Sequence, residues 1–389
     1  MLDRLPQDVL VVALSRVPFA SHGAVDATSR RVREALRSSA FTAERTRSGF
    51  SESRLVVAFG GVRDDDDEES RIIWISHWRS FTMGHGAPVR AARLPHVRAD
   101  IMDDRERPPS IILLDKSPRK VALSHGGTIS IVDLASGRET VLPSLGALHS
   151  RYGMEYSWAG HAAGEWLVGG GLGAGTGEFS RFSTNTWRLE GLTGSWTAGP
   201  VMPTASSGGV TVSVGGAAYV IGGYAGRNRI NPDLLRYERG SWTRMAPPPV
   251  GGEHLFATVL NGRIHVLSTA DHLLDPPEMD SNPHATRHHV YDLLQDTWST
   301  NVLPDRFNLM HTYTYSSDLL RAALTACEQD GRLVFLMVEG GYLDSEGGHG
   351  LDVTFEVYEE ATETWQSSLY KLPDFKGGGV NAAWTINLG

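Results

Sequence analysis

The sequence predicts an all-β fold, a six-bladed β-propeller, which follows a small all-α module. From Leu55 onward the chain consists of short apolar runs and turns, and no helical periodicity lasts more than a turn or two. Within this part a pattern recurs six times: a strand ends in Gly-Gly, a variable loop follows, and a second strand carries an aromatic residue and then Trp. Residues 5–17 instead place apolar side chains at spacings of one, three and four, which is typical of a helix.

The β domain is predicted over residues 52–389, and its repeats differ in clarity. Two copies of the pattern are clear, at 216–249 and 331–373, whereas the copy that begins at 262 lacks the Gly pair. At about 50 residues per repeat, the length of the domain allows six to seven units. The six predicted blades cover about 55–100, 120–145, 156–203, 209–249, 254–304 and 311–373.

The two ends of the β domain are expected to meet in one sheet. The first repeat begins at LVVAFGG without a first strand, and residues 379–388 resemble a single strand that belongs to no repeat. A propeller that is stable in water leaves no long edge strand unpaired. We therefore predict that residues 379–388 complete the first sheet.

The long insertions after the Gly pairs predict a binding face. In an antiparallel meander all loops of this kind emerge at one end of the strands, and the helical module would enter at the other. The insertions cover about 62–70, 171–179, 224–233, 270–288 and 342–352. Their Arg, Tyr and His side chains suit a target protein, for example an acidic or phosphorylated peptide. The candidate target-binding residues are Arg63, Tyr224, Arg227, Arg229, His288, Tyr342 and His349.

The N-terminal helical module is predicted over residues 1–48. Pro6 suits the first turn of a helix and Pro18 ends it, and a second helical stretch is predicted over 24–41. So short a segment buries little surface of its own, so an exposed apolar face here suggests a partner. The alternative is a cap that packs on the β domain.

Composition limits the class of protein. The net charge of −9 argues against nonspecific attraction to nucleic acid or anionic lipid, which are bound by clustered Lys and Arg. Cys327 is the one cysteine, so no intramolecular disulfide is expected. The N-terminus is a poor signal peptide because charged residues and Pro18 interrupt its apolar run. These features favour the cytoplasm, the nucleus or both.

Two polar clusters could bind a metal ion. Residues 64–69 form an acidic run, for which a solvated loop is the favoured interpretation. A second cluster consists of His272, His284, His288 and His289. Dense imidazoles can bind zinc or copper, but no fixed spacing with carboxylate or thiolate support is present. We expect no metal, no cofactor and no catalytic residue.

The repeat pattern resembles the kelch repeat, whose family fold is a β-propeller with one four-stranded antiparallel sheet per repeat. The resemblance covers about 330 residues and is specific in the two clear copies. It implies that the repeat tryptophans pack between neighbouring blades. These are Trp187, Trp196, Trp242, Trp298 and Trp365.

The N-terminal segment LPQDVLVVALSRVP, followed by AVDATSRRVREALRSSAF, resembles an F-box, a helical module that docks on the Skp adaptor of cullin-RING ubiquitin ligases. Two positions depart from the family pattern, because Val32 stands where Trp is common and Thr28 stands where an apolar residue is usual. Phe41 matches a later apolar position. By this resemblance the adaptor-binding positions are Leu5, Pro6, Leu10, Leu14, Val17, Pro18, Val25 and Leu36.

The two resemblances together imply a non-catalytic subunit of an SCF-type ubiquitin ligase. The F-box would bind the adaptor, and through it a cullin, while the propeller would bind the target. One alternative is a kelch scaffold without a ligase role. Another is an enzyme similar to galactose oxidase, which needs copper and a Tyr-Cys crosslink; the sequence around Cys327, TACEQDG, matches no oxidase motif.

Overall fold

The structure is a computed structural model, and it confirms a mainly β chain with antiparallel sheets and short helices. It describes the following residues: 5–17, 25, 28–36, 38–48, 53–63, 69–76, 89–94, 110–113, 120–125, 128–133, 138–145, 155–173, 181–226, 229–249, 255–268, 287–303, 322–327, 332–339, 351–372 and 380–387.

Three short helices are described in the N-terminal module. They are α1 (Gln7–Ser15), α2 (Arg30–Leu36) and α3 (Ser39–Arg47). The single helical stretch predicted over 24–41 is therefore divided in two. The physical reason is serine capping: the Ser29 hydroxyl accepts a hydrogen bond from Val32 N, and the Ser38 hydroxyl accepts one from Phe41 N, each at 3.2 Å.

The module has a hydrophobic core of its own. Its seven buried side chains all come from the three helices: Leu10, Val11, Leu14, Val32, Ala35, Leu36 and Phe41. Leu5, Val17 and Val25 are partly buried against this cluster.

The β domain begins with three sheets, numbered here in chain order. The first sheet starts with β1 (Ser53–Arg63), β2 (Glu69–Ser76) and β3 (Val89–Leu94). The second contains β4 (Ser110–Leu113), β5 (Lys120–His125), β6 (Thr128–Asp133) and β7 (Arg138–Val141). The third contains β8 (Glu155–Ala162), β9 (Glu165–Gly173), β10 (Arg181–Phe182), β11 (Thr186–Glu190) and β12 (Thr197–Ala198).

Three further sheets follow. The fourth contains β13 (Val210–Val214), β14 (Ala217–Ile221), β17 (Leu234–Glu238) and β18 (Ser241–Met245). Between β14 and β17 the chain forms a separate two-stranded hairpin, β15 (Tyr224–Gly226) and β16 (Arg229–Ile230). The fifth contains β19 (Leu255–Leu260), β20 (Arg263–Ser268), β21 (Arg287–Asp292) and β22 (Thr297–Val302). The sixth contains β23 (Ala322–Cys327), β24 (Arg332–Glu339), β25 (Leu351–Glu359) and β26 (Thr364–Leu372).

The C-terminal strand β27 (Val380–Asn387) pairs with β1 and not with the sixth sheet. The pairing is antiparallel, and it places Val56 opposite Trp384. The first sheet therefore has the order β27–β1–β2–β3 and joins the two ends of the β domain. This is the pairing that the C-terminal tail predicts.

The second sheet begins earlier than the range predicted for it. Strand β4 lies ten residues upstream of the predicted start at 120 and pairs with β5. The repeat pattern misses this strand because SIIL carries neither the Gly pair nor the aromatic residue by which the other strands are recognised.

Consecutive sheets bury apolar side chains between them. Separate clusters lie between the second and third sheets, the third and fourth, the fourth and fifth, and the fifth and sixth. The repeat tryptophans pack against these clusters, as predicted. Three of them also donate an indole N–H to the carbonyl at the end of the preceding sheet: Trp196 to Pro143, Trp242 to Pro200 and Trp298 to Ala246.

Neighbouring sheets also contact each other through one strand each. In the second to sixth sheets this is the first strand along the chain, and in the first sheet it is β27. Strand β4 lies beside β8, β8 beside β13, β13 beside β19, β19 beside β23, β23 beside β27, and β27 beside β4.

Candidate functional site

The predicted loop face is described best at the third and fourth sheets. There the hairpin of β15 and β16 projects from the fourth sheet, and Tyr224 exchanges backbone hydrogen bonds with Ser207 at 2.8 and 2.9 Å. Tyr224 is half-buried and Arg229 is exposed. The hairpin is therefore an anchored projection that presents an arginine to solvent.

The Gly pairs that precede the loops are required by packing. A Cβ atom on Gly170 would lie 1.9 Å from the carbonyl oxygen of Ser206, and one on Gly223 would lie 2.5 Å from Gly209 N. Both glycines also have a positive φ, +69° and +81°. The segment that enters the fourth sheet thus crosses directly over the ends of the second strands, and no side chain fits between them.

A polar network fixes the base of the hairpin, and the sequence analysis did not identify it. Asp233 accepts hydrogen bonds from Thr204 Oγ1 and, at 3.0 Å, from Arg244 Nε. The Asn231 side-chain oxygen accepts one from Asp233 N at 2.9 Å. Asn231 is fully buried, and its Nδ2 has no partner within the described residues. The sequence signal is the short polar run NPD directly after the loop.

The other predicted target-binding residues are not brought together in the described part of the chain. Arg63 is the last residue of β1 and lies opposite Glu69 in β2. Arg227, Tyr342 and His349 lie outside the described residues.

The prediction that His288 lies on the loop face is wrong. His288 is the second residue of β21 and is 0% exposed, because its side chain points into the interface between the fifth and sixth sheets. Its Nε2 lies 3.0 Å from Nδ1 of His265, and its ring contacts Tyr358 and Trp365 edge-on. Burial lowers the pKa of His288 to about 3 and the pKa of His265 to about 4, so both rings are neutral at pH 7.

His289 faces the opposite side of the same sheet. Its two ring nitrogens lie within hydrogen-bond distance of Thr300 Oγ1 and Ser268 Oγ, and burial lowers its pKa to about 4. His288 and His289 therefore point away from each other and cannot bind one metal ion together. Within the described residues no group of three potential metal ligands is present; residues 64–68 and 269–286 lie outside them.

A charged open cleft of about 420 Å³ lies at the other end of the third and fourth sheets. Glu165 accepts a hydrogen bond from the Tyr237 hydroxyl at 2.8 Å and one from Arg188 at 3.3 Å. Burial, together with Glu165, raises the pKa of Tyr237 to about 12. Arg239 and Glu190 also line the cleft. Its acidic and basic groups balance, so it selects neither an anion nor a cation.

Most predicted adaptor-binding residues lie inside the helical module. Leu10, Leu14 and Leu36 are buried in its core. Leu5, Val17 and Val25 pack against that core, and Pro6 is exposed. Pro18 lies outside the described residues.

The apolar side chains that α1 presents to solvent are different ones, Val9 at 45% exposure and Val12 at 39%. They are three residues apart and so share one face of the helix. Helical spacing groups Val9 with Leu10, Leu14 and Val17, and this spacing alone does not tell which of two adjacent apolar stripes is covered.

Two arginines fix the ends of α1. Arg31 Nη2 donates to the Leu5 carbonyl at 2.6 Å, before the helix begins. Arg45 is 1% exposed, and its Nη1 donates to the carbonyls of Ser15 and Val17 at 3.0 and 2.7 Å, at the end of the helix. Arg45 thus satisfies carbonyl groups that a helix leaves without partners at its C-terminus.

Comparison with known proteins adds little to this description. No protein family matches the chain, and no curated protein matches it. Among solved structures it is similar to the structure of YjhT, with a TM-score of 0.47 and 14% identity, over 72% of this chain and 87% of that one. A similarity this weak does not bear on function. No helix in the described residues has the length and apolar character needed to cross a membrane.

Proposed function

We propose that this chain is a target-recognition subunit of an SCF-type cullin-RING ubiquitin ligase, with no catalytic role of its own. The helical module would bind the Skp-type adaptor, and the β domain would bind the target protein. The subunit would contribute proximity, because it converts an encounter between target and ubiquitin-loaded enzyme into an intramolecular event.

The independent core of the helical module carries this proposal. A segment that served as a cap would bury its apolar stripe against the β domain, whereas among the described residues the buried cluster is formed by residues of the module. Val9 and Val12 remain exposed on α1, and Arg31 and Arg45 fix the orientation of that helix. A rigid helix with an exposed apolar face is suited to a partner protein.

The two departures from the F-box pattern lie in different surroundings. Val32 is 1% exposed and belongs to the core of the module. A valine at this position, where the F-box pattern commonly has Trp, therefore changes the packing inside the module. Thr28 is exposed, and its hydroxyl donates to the Val25 carbonyl at 2.7 Å. The Val32 departure therefore leaves the exposed face of α1 unchanged.

We further propose that the β domain is a closed, six-bladed propeller of the kelch type. Three findings support it. Antiparallel sheets of four or five strands follow one another along the chain, one edge strand of each contacts the next in the cyclic order β4, β8, β13, β19, β23 and β27, and β27 joins the two ends of the domain. The same tryptophan hydrogen bond recurs between three successive pairs of sheets, which indicates a repeated geometry. Its loop face would bind the target.

A pull-down with a recombinant Skp adaptor tests the proposed function. Full-length protein should retain the adaptor, and a chain that begins at Ser51 should not. If neither protein retains it, the ligase role is excluded and the second candidate, a kelch scaffold that binds proteins without an adaptor, takes its place. That candidate rests on the exposed Thr28, which stands where the F-box pattern usually has an apolar residue.

A further inference from the structure

Two imidazoles form an end-to-end pair in the interface between the fifth and sixth sheets. His265 lies on β20 and His288 on β21, and their Nδ1 and Nε2 atoms are 3.0 Å apart. The ring planes differ by 23°, and the ring centroids are 5.2 Å apart. This centroid distance is nearly the longest that a 3.0 Å N···N contact permits, so the rings meet nitrogen to nitrogen, as an N–H···N hydrogen bond requires.

The hydrogen-bonded pair of imidazoles cannot accommodate an additional proton. One ring donates and the other accepts, so either choice of tautomers leaves one N–H and one lone pair on the two outer nitrogens. These atoms, His265 Nε2 and His288 Nδ1, are buried and have no partner within the described residues. An added proton would turn the outer lone pair into a second N–H without an acceptor and would place a positive charge in the interface.

Within the described residues, the charged groups on the two strands that carry the pair do not supply a counter-charge. On β20 the neighbour is the Arg263 guanidinium, which pairs with Glu360 at 3.2 Å and Asp292 at 3.7 Å. On β21, Arg287 is exposed and His289 faces the other side of the sheet.

The described neighbours on β22, β25 and β26 are two aromatic residues, an amide and one carboxylate. On β22 Asn301 lies 3.5 Å from the Tyr358 hydroxyl, and β26 contributes Trp365. On β25 Tyr358 contacts both imidazoles. Glu356 is a buried carboxylate two residues before Tyr358, and it makes no hydrogen bond to either outer imidazole nitrogen.

We propose that the His265–His288 pair is an acid-sensitive lock between the fifth and sixth sheets: the interface stays packed while both rings are neutral and separates when either ring is protonated. The pair joins the two sheets because His288 contacts Tyr358 and Trp365 across the interface. Mild acidification would therefore loosen one particular interface of the β domain.

The direction of the pH dependence follows from burial. The pKa values of His265 and His288 in the folded chain, about 4 and about 3, lie below the ordinary value of 6.5. The unfolded or separated state therefore takes up protons first as the pH falls. The stability of the interface is fully present above about pH 6.5 and decreases as the pH falls towards 4.

Hydrogen exchange on the full-length protein tests this proposal without any substitution. After correction for intrinsic rates, amides of β20, β21, β25 and β26 should lose protection between pH 7.5 and 5.0 by at least about tenfold more than amides of β13 and β14 in the fourth sheet. Equal changes in the two sets of strands would overturn the proposal.

A double variant provides the second test. His265→Asn with His288→Gln places an amide near each of the two paired nitrogens and removes both titrations. Its urea midpoint should fall between pH 7.5 and 5.0 by half or less of the wild-type decrease. His289→Gln is the matched control, since it removes an imidazole from the other face of the sheet and should leave the exchange contrast intact. A double variant that keeps both the full decrease and the exchange contrast would refute the lock.

Discussion

Gly223 and Gly216 have nearly the same φ angle but different surroundings. Their φ angles are +81° and +78°. A Cβ on Gly216 would meet nothing within 4 Å, whereas one on Gly223 would meet the backbone of the segment at 207–209. The pair of positions therefore separates the cost of the left-handed conformation from the cost of a steric clash.

We predict that Gly223→Ala is the more destabilising of two matched substitutions. Gly216→Ala should cost about 1–2 kcal/mol, the penalty of a side chain in the left-handed region. Gly223→Ala should cost about 1–3 kcal/mol beyond that, because the backbone of the fourth sheet must shift. Urea denaturation followed by tryptophan fluorescence measures both. Equal losses of unfolding free energy would show that Gly223 is required for its backbone conformation and not for the close approach of residues 207–209.

The Tyr237 hydroxyl joins the fourth sheet to the third through Glu165, and its removal should be measurable. We predict that Tyr237→Phe lowers the free energy of unfolding by about 1.5–3 kcal/mol, the range for a hydrogen bond to a charged group. Tyr219→Phe is the control, because its hydroxyl makes no hydrogen bond within the described residues. A Tyr237 effect no larger than the control would mean that water replaces the hydroxyl at Glu165.

At the scale of single residues, the sequence predicts the positions that recur from repeat to repeat and misses features that are present in one repeat alone. The Gly pairs and the repeat tryptophans follow from the pattern, and their packing is confirmed. His288 was assigned to a loop because the fifth repeat lacks the Gly pair that marks the end of a second strand. His265 and His288 contact each other from neighbouring strands that are separated in the chain by a long insertion. A repeat pattern read along the sequence does not reveal such a contact.

At the scale of the elements, a buried arginine determines the end of α1. Arg45 lies in the run TAERTR, which resembles a solvated helix, and its burial follows only from the packing of α3 against α1. Its guanidinium also lies over the Phe41 ring, 5.7 Å from the centroid. The sequence predicts helices here, but not the serine caps that separate α2 from α3 or this arginine.

We predict that Arg45→Met unfolds the helical module without unfolding the β domain. The substitution leaves the Ser15 and Val17 carbonyls without their partner, at about 1–3 kcal/mol for each buried group. Arg47→Met is the control, because Arg47 is exposed and, within the described residues, pairs with Glu44 on the same helix. Hydrogen exchange should show lost protection over residues 7–17 in Arg45→Met alone. Protection unchanged in both variants would contradict the capping role.

At the scale of the whole molecule, the C-terminal strand holds the ends of the β domain together. The sequence predicts this pairing because the first repeat lacks a strand and the tail supplies one, whereas β4 escaped prediction because it carries no repeat marker. The closed, six-bladed arrangement remains a proposal that the cyclic contacts between one edge strand of each sheet support.

Removal of residues 380–389 should destabilise the entire β domain. One edge of β1 would then be left unpaired, and such edges promote association between chains. We expect a lower melting temperature and concentration-dependent aggregation. Removal of residues 1–50 is the control, and it should leave the melting temperature of the β domain unchanged because the core of the helical module is separate. A truncated C-terminus that melts like the full chain would contradict closure through β27.

The central claim, that the helical module docks on an adaptor, is tested most directly by calorimetric titration of a Skp adaptor into full-length protein and two point variants. Val9→Asp with Val12→Asp places charges on the exposed face of α1 and leaves its core intact, whereas Leu294→Asp changes a side chain that is 98% exposed in the turn between β21 and β22. We expect saturable binding to wild type and Leu294→Asp, and at least about a hundredfold weaker binding to the double variant because it loses two interface anchors. Equal affinities for all three proteins, or no binding to wild type, would contradict this claim.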